Sequence, residues 1–541
     1  MRKKIAKYGP GVLLGVTFLM LIFLNIFYQD HWLDSDMAAE MMFSELLADT
    51  GHVFATPQWY YSTEFRFLYT QLVMAPLFRV LSDWHVIRTI TNIVFYLLLT
   101  GSCFYFMKPF KVSKGLMSLM ACILLLPFSE TMMTHMQMGN TYLSHVIIIY
   151  LCFGMFLRLA AKNRNESDAK KHSLIYRALL LVCYLALSVI CGVSGVRYLL
   201  ALQCPMVIAA FLYLLKSEQF QCFRREMTKE HLIQLQRSPA APYFGYSLLG
   251  AAASVAGYAV NVLWVSRRYV FQTYDATNFI PIYQGELFER LQNAIGCLLM
   301  LFGYIPEKGF LSLRGFISMI AFVLLAVLIY CAVKQLKRSS GVRYFLTVFL
   351  IVAFFLNLFV FTFTTSTMVP RYYLTILIFA LPVVAFFLEQ ESFPFDRLAV
   401  VVILAGCLMI STAKTVFSFI SVDKNADKRE VAAFLQENDY DFGFATYTNG
   451  NIITELTNGE VEIANIGDPQ YLEYFKWSSP MKYYDEDYHD GEVFLLLTKG
   501  EEMQFANTQA LQQGQNVYDD GKYVVLLYDN RADLMECADI R

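Results

Sequence analysis

Asp34 and Asp36 stand as a D-x-D pair in DHWLDSDMAAE, residues 30–40, a few positions after the first long apolar run. Two carboxylates this close at the edge of a hydrophobic segment can bind a cation, orient a hydroxyl or take its proton. They can also begin a helix. SDMAAEMMFSELLA has helical periodicity, and acids suit an N-cap and a first turn. Asp36 is nearer the helix start and Asp34 nearer the apolar run, so one of the pair can do each job.

Arginines supply the opposite charge. Arg197 in GVSGVRY, Arg267 and Arg268 before Tyr269, and Arg371 in TTSTMVPRYY all lie where apolar runs begin or end. Guanidinium makes paired, charge-assisted bonds to phosphate oxygens. An arginine at such a mouth also snorkels to the interface with no ligand at all. Pro370 beside Arg371 favours an open loop there.

The segment 29–84 adds Glu40, Glu45, Trp59, Tyr60, Tyr61, Glu64 and Arg66, and is too long for a simple connector. Glu64 and Arg66 read either as part of an acceptor site or as an exposed ion pair. Asp275 joins the Arg267–Arg268 stretch. His135 and His145 flank a turn at Asn140 and read as packing histidines.

These residues need elements to hold them, and composition says which kind. The chain has 541 residues, is 57% hydrophobic and 16% charged, and has a mean hydropathy of +0.44. That is too apolar for a soluble enzyme of this size and marks a multi-pass membrane protein. Hydropathy places spans at about 11–28, 86–107, 115–134, 141–159, 173–191, 198–215, 245–264, 315–333, 344–363, 372–389 and 397–417. The basic connections 108–114, 158–171, 216–237 and 334–343 all fall on the side of the basic N-terminus, which the positive-inside rule places in the cytoplasm. The 389–397 connection is acidic and fits less well. The first apolar run is expected to be an uncleaved helix, since no small-residue cleavage site follows it.

Eleven spans put the C-terminal segment outside. From residue 423 onward it holds 24 acidic and 9 basic residues, and only Cys537 of the 11 cysteines, so it is an acidic domain without an internal disulfide. KREVAAFLQEN followed by FGFATYT, EVEIANI, EVFLLLTK and YVVLLYD predicts a small α/β fold. The expected division is a membrane domain over 1–421, with a first external loop at 29–84, and a soluble domain over 422–541. Two apolar stretches, 65–81 and 286–305, are expected to lie on or dip into the outer leaflet, because counting them as spans would turn the basic loops outward. Walker loops, dinucleotide fingerprints and nucleic-acid motifs are missing, so no nucleic-acid partner is expected.

The first-loop D-x-D, the surface helices after it, the Arg-Tyr pair opening a late helix and the C-terminal α/β domain resemble the GT-C superfamily of membrane glycosyltransferases, which take sugars from polyprenyl phosphates. The protein mannosyltransferases and lipid A aminoarabinose transferases belong to it. DSDMAAEMMFSELLADTG running on to WYYSTEFR also resembles an uncharacterised bacterial group of this type. The resemblance implies transfer of a sugar from a polyprenyl-phosphate donor to a cell-envelope glycan, lipid or protein at the outer face of the plasma membrane, among membrane lipids. It implies Asp34 or Asp36 as base or as ligands of a divalent cation, Mg or Mn, and Arg371, Arg197 and Arg268 as donor-phosphate ligands. Glu64, Arg66, Trp59, Tyr60 and Tyr372 become acceptor or sugar contacts. The protein mannosyltransferases typically carry D-E where this chain has D-S-D, and the WWD-type signature of oligosaccharyltransferases is missing. The alternatives are a transporter or lipid flippase, which would carry ionisable groups near mid-membrane, and a non-catalytic scaffold with an external binding domain.

Overall fold

The computed structural model describes residues 2–139, 141–161, 170–272, 277–281, 285–309 and 311–539; Asn140 and Asp275 lie outside them. Among the described residues, nine helices are long and apolar enough to cross a membrane, or 11 if each of two bent pairs counts as one span. The first bent pair, Lys114–Leu125 with Glu130–Met138, turns by 93° inside the expected span 115–134. Pro127 causes the break: the residue before a proline is pushed out of helical geometry, and Leu126 is extended. The second, Leu199–Leu215 with Glu218–Arg225, turns by 69°.

The two apolar stretches held back from the count form shorter helices, Gln71–Phe78 and Leu287–Leu301, neither long enough to span. The bundle packs closely where glycines permit it. A Cβ on Gly192 would sit 1.8 Å from the Ser254 carbonyl oxygen, and one on Gly257 would sit 2.0 Å from that of Val189, so Lys170–Val193 and Ala241–Val260 meet backbone to backbone.

The C-terminal domain is a five-stranded mixed sheet. Numbering all strands in chain order gives β1 Trp59–Tyr61, β2 Val270–Phe271, β3 Phe442–Thr446, β4 Glu462–Ile466, β5 Ser479–Pro480, β6 Val493–Thr498, β7 Gln515–Asp519 and β8 Tyr523–Tyr528. The large sheet runs β4-β3-β6-β8-β7, with β3 parallel to β4 and β6, and β8 antiparallel to β6 and β7. The uninterrupted apolar run of β6 is explained by burial on both faces. Phe494 and Leu496 pack with Val431, Leu435 and Ile453 on one side. Leu495 and Leu497 pack on the other with Met41, Trp59 and Tyr61 of the segment 29–84.

That segment and the C-terminal domain therefore share one core. A second sheet, β2-β1-β5, stitches them together with the stretch after Arg268: Tyr60 pairs with Val270, and Trp59 with Pro480. A buried ion pair clamps the same junction. Arg88 donates to both oxygens of Glu455 at 2.7 Å and to the Met37 carbonyl at 2.9 Å. The pairing brings the first loop, the Arg268 stretch and the C-terminal domain together.

Candidate functional site

The site grows from one helix start. Asp34 is the N-cap of Ser35–Asp49, its carboxylate accepting from the Met37 N–H at 2.9 Å. Burial, and then the Asp36 charge, push the Asp34 carboxyl up to about 6. Starting the helix at Ser35 puts Asp36 in the first turn and Glu40 four residues on, on the same face. Both line a cavity of about 580 Å³, and Asp34 does not.

The cavity lining is of two kinds. Val146, Ile149, Leu200, Leu356, Val360 and Leu374 from the spanning helices make an apolar wall. Asp36, Glu40, Glu64, Arg66, Arg197 and Arg371 make a polar one, with Trp59, Tyr142, Tyr372 and Trp477 around them. An apolar cleft with a few convergent polar groups is the usual form of a ligand site.

Each carboxylate has its own partners. Asp36 Oδ1 accepts from the Tyr447 hydroxyl at 2.9 Å, and Oδ2 lies 3.9 Å from Arg371 Nη1. Burial and the nearby Asp36 charge push the Tyr447 phenol up, so Tyr447 stays the donor. With 38% of its side chain exposed, Asp36 is the acid open to the cavity. Glu40 is buried and faces Arg66 Nη1 at 2.8 Å, the Tyr69 hydroxyl at 2.7 Å and Thr70 Oγ1 at 3.1 Å. Its burial, opposed first by Arg66, raises the carboxyl to about 7. Glu64 Oε1 lies 2.5 Å from Arg197 Nε, and Oε2 lies 4.0 Å from His145 Nε2.

The three guanidiniums each have one N–H that is closed off from solvent and has no partner among the described residues: Arg66 Nε, Arg197 Nη1 and Arg371 Nε. The cavity is lined by all three arginines, and guanidinium charge of this density favours an anionic ligand. Aromatic rings hold the arginines in place. Arg197 lies 4.7 Å over Tyr142 and 5.3 Å over Tyr372, Arg371 lies 5.8 Å over Tyr142, and Arg66 lies 4.7 Å over Tyr69. Local structure aims them: Arg371 sits in the 3₁₀ turn Pro370–Tyr373, and Arg197 follows the turn that Gly195 makes at φ +117°.

Of the residues given a site role from the sequence, Asp36, Trp59, Glu64, Arg66, Arg197, Arg371 and Tyr372 meet in this cavity, and Tyr61 and His145, named there without such a role, line it too. Tyr60 points away, because side chains alternate along β1: Trp59 and Tyr61 face the cavity while Tyr60 packs on Tyr484. Arg268 lies over the Trp264 ring, outside the cavity lining. Glu40, Tyr69, Tyr142, Tyr447 and Trp477 join the site without having been assigned to it. The i,i+4 spacing from Asp36 was a usable signal for Glu40. Tyr447 and Trp477 carry none, since they arrive from the far end of the chain.

A metal fits these side chains poorly. Among the described residues no group of three or more His, Cys, Asp or Glu is placed to hold an ion. The Asp34 carboxylate is spent on its helix cap, and Asp36 faces a phenol and a guanidinium.

Neither a family model nor a curated protein matches this chain. Solved structures do. ArnT from Cupriavidus metallidurans in the apo state has a TM-score of 0.53 and 11% identity, covering 99% of this chain and 100% of that one. The same protein bound to undecaprenyl phosphate has a TM-score of 0.53 at 13% identity over the same shares. The Archaeoglobus fulgidus oligosaccharyltransferase tethered with an acceptor peptide has 0.49 and 12%, covering 98% of this chain and 75% of that one.

Proposed function

We propose that this chain, a multi-pass membrane protein with the fold of the GT-C glycosyltransferases, transfers a sugar from a polyprenyl-phosphate donor to a hydroxyl of a cell-envelope acceptor at the outer face of the plasma membrane. The observation that carries the reading is the mixed lining of the cavity, where apolar side chains of the spans and three arginines surround one accessible carboxylate. The first isoprene units suit the apolar wall, the phosphate suits the guanidiniums, and Trp59 and Tyr372 suit the sugar face. That ArnT has been seen with undecaprenyl phosphate supports a carrier of this class.

In this reading Asp36 takes the proton of the acceptor hydroxyl as its oxygen bonds to the anomeric carbon. The bond from that carbon to the phosphate oxygen breaks, and the electron pair leaves with the polyprenyl phosphate. Arg371, Arg197 and Arg66 hold the charge that develops there. Inversion at the anomeric carbon follows from a single displacement. No step passes through a divalent ion, and EDTA is expected to leave the rate within about twofold. The N-terminus is then cytoplasmic and the C-terminal domain outside.

The test is transfer by the purified full chain with a panel of polyprenyl-phosphate sugars and envelope acceptors, comparing wild type with Asp36→Asn. A glycosidic product that the variant makes at least about a hundredfold more slowly supports the reading. Full activity in the variant, or lipid movement across proteoliposomes with no glycosidic product, overturns it.

A further inference from the structure

The Tyr69 hydroxyl has one hydrogen and two short neighbours. It lies 2.6 Å from the Thr141 carbonyl oxygen, which can only accept, and 2.7 Å from Glu40 Oε1. The single hydrogen is shared between both acceptors while Glu40 is ionised, whereas a proton on Glu40 gives two full hydrogen bonds, Tyr69 donating to Thr141 and Glu40 donating to Tyr69. Arg66, on the same Glu40 oxygen at 2.8 Å, then faces a neutral acid instead of a carboxylate. Arg66 lines the cavity, so charge that Glu40 no longer offsets is available there.

We propose that Glu40 is a positioning residue that, while protonated, leaves the Arg66 charge to the carrier phosphate, and on losing its proton offsets that charge. The inference rests on the phosphate site of the reading above. It adds a coupling of one proton to phosphate affinity, with the wall of the site as the switch. The charged and titratable groups acting on Glu40 are Arg66 and Tyr69 from the segment after β1 and Arg88 from Trp84–Met107, and those acting on Arg66 besides Glu40 and Tyr69 are Glu64 and Asp36. Burial that raises this carboxyl to about 7 puts the change in the neutral range. The coupling has a chemical use. The donor phosphodiester carries one negative charge and the departing monoester nearly two, so an Arg66 whose charge can be offset keeps the product from being held more tightly than the substrate.

The probe is a short-chain prenyl methyl phosphodiester, whose single charge is constant over the range, titrated into the purified full chain between pH 6 and pH 8. Wild-type affinity is expected to fall about tenfold, as one proton is lost near pH 7. Glu40→Gln, neutral throughout, is expected to bind within about twofold of the pH 6 wild type at every pH. Arg66→Gln is expected to bind weakly with no slope, which keeps the question answerable if Glu40→Gln does not fold. Flat wild-type binding, or a slope that survives in either variant, overturns the proposal. Sugar transfer with flat phosphodiester binding would refute the Glu40 role alone; sloped binding without any glycosidic product would refute the transferase reading alone.

Discussion

The Tyr447 hydroxyl donates a 2.9 Å hydrogen bond to Asp36 Oδ1 across 411 positions of chain, so a side chain of the C-terminal domain orients the accessible acid of the membrane domain. A hydrogen bond to a charged group is worth roughly 1.5–3 kcal/mol. Tyr447→Phe is therefore expected to lower kcat by about tenfold or more with the donor KM nearly unchanged. Steady-state kinetics on the folded variant decides it; an unchanged kcat would remove Tyr447 from the site.

Asp34 and Asp36 are expected to separate under mutation. Asparagine caps a helix about as well as aspartate, whereas alanine costs about 1 kcal/mol. Asp34→Asn should leave the melting temperature unchanged and Asp34→Ala should lower it by a few degrees, both retaining most of the turnover. Asp36→Asn should abolish turnover without lowering the melting temperature. Thermal melts and transfer rates on the three variants make the comparison.

The arginines are expected to divide by position. Arg371→Gln and Arg197→Gln each remove a guanidinium from the cavity and should raise the donor KM by about tenfold or more. Arg268→Gln, which changes a residue stacked over Trp264 outside the lining, should leave it within about twofold. A large KM effect at Arg268 would mean that the donor reaches beyond the cavity described above.

Glu45, on the Ser35–Asp49 helix where it meets the C-terminal domain, has its carboxyl raised to about 7 by burial and then by Asp49. Its reference value is 4.5. Below that value both folded and unfolded chains hold the proton. Between 4.5 and about 7 the unfolded chain releases it first, so stability contributed at this site is lost as pH rises. Glu45→Gln should flatten part of the decline in melting temperature from pH 5 to pH 8, and raise it by a few degrees at pH 8. Parallel curves for wild type and variant would refute this.

Much of the scaffold was legible because it depends on near neighbours in the chain. The spanning runs follow from hydropathy, since a helix in lipid satisfies its own backbone. The start of Ser35–Asp49 follows from an acid placed to cap it, and the buried strand β6 from an unbroken apolar run. The break after Leu125 was legible in principle, since Leu126-Pro127 is a local signal that hydropathy averaging over the span 115–134 hides. In β1 the period of two separates Trp59 and Tyr61 from Tyr60, but which face meets the cavity is set by pairing with β2 and β5.

By itself, then, the sequence determined a multi-span helical protein with a D-x-D helix start, mouth arginines and a C-terminal α/β domain. All of these are consequences of local periodicity, capping and charge. Only the tertiary structure decided which of those residues meet. Arg88 with Glu455, Asp36 with Tyr447, and Trp59 with Pro480 are contacts between segments hundreds of residues apart. They are chosen by the shared apolar core that packs the first loop against the C-terminal sheet, and no property of either segment alone specifies that core.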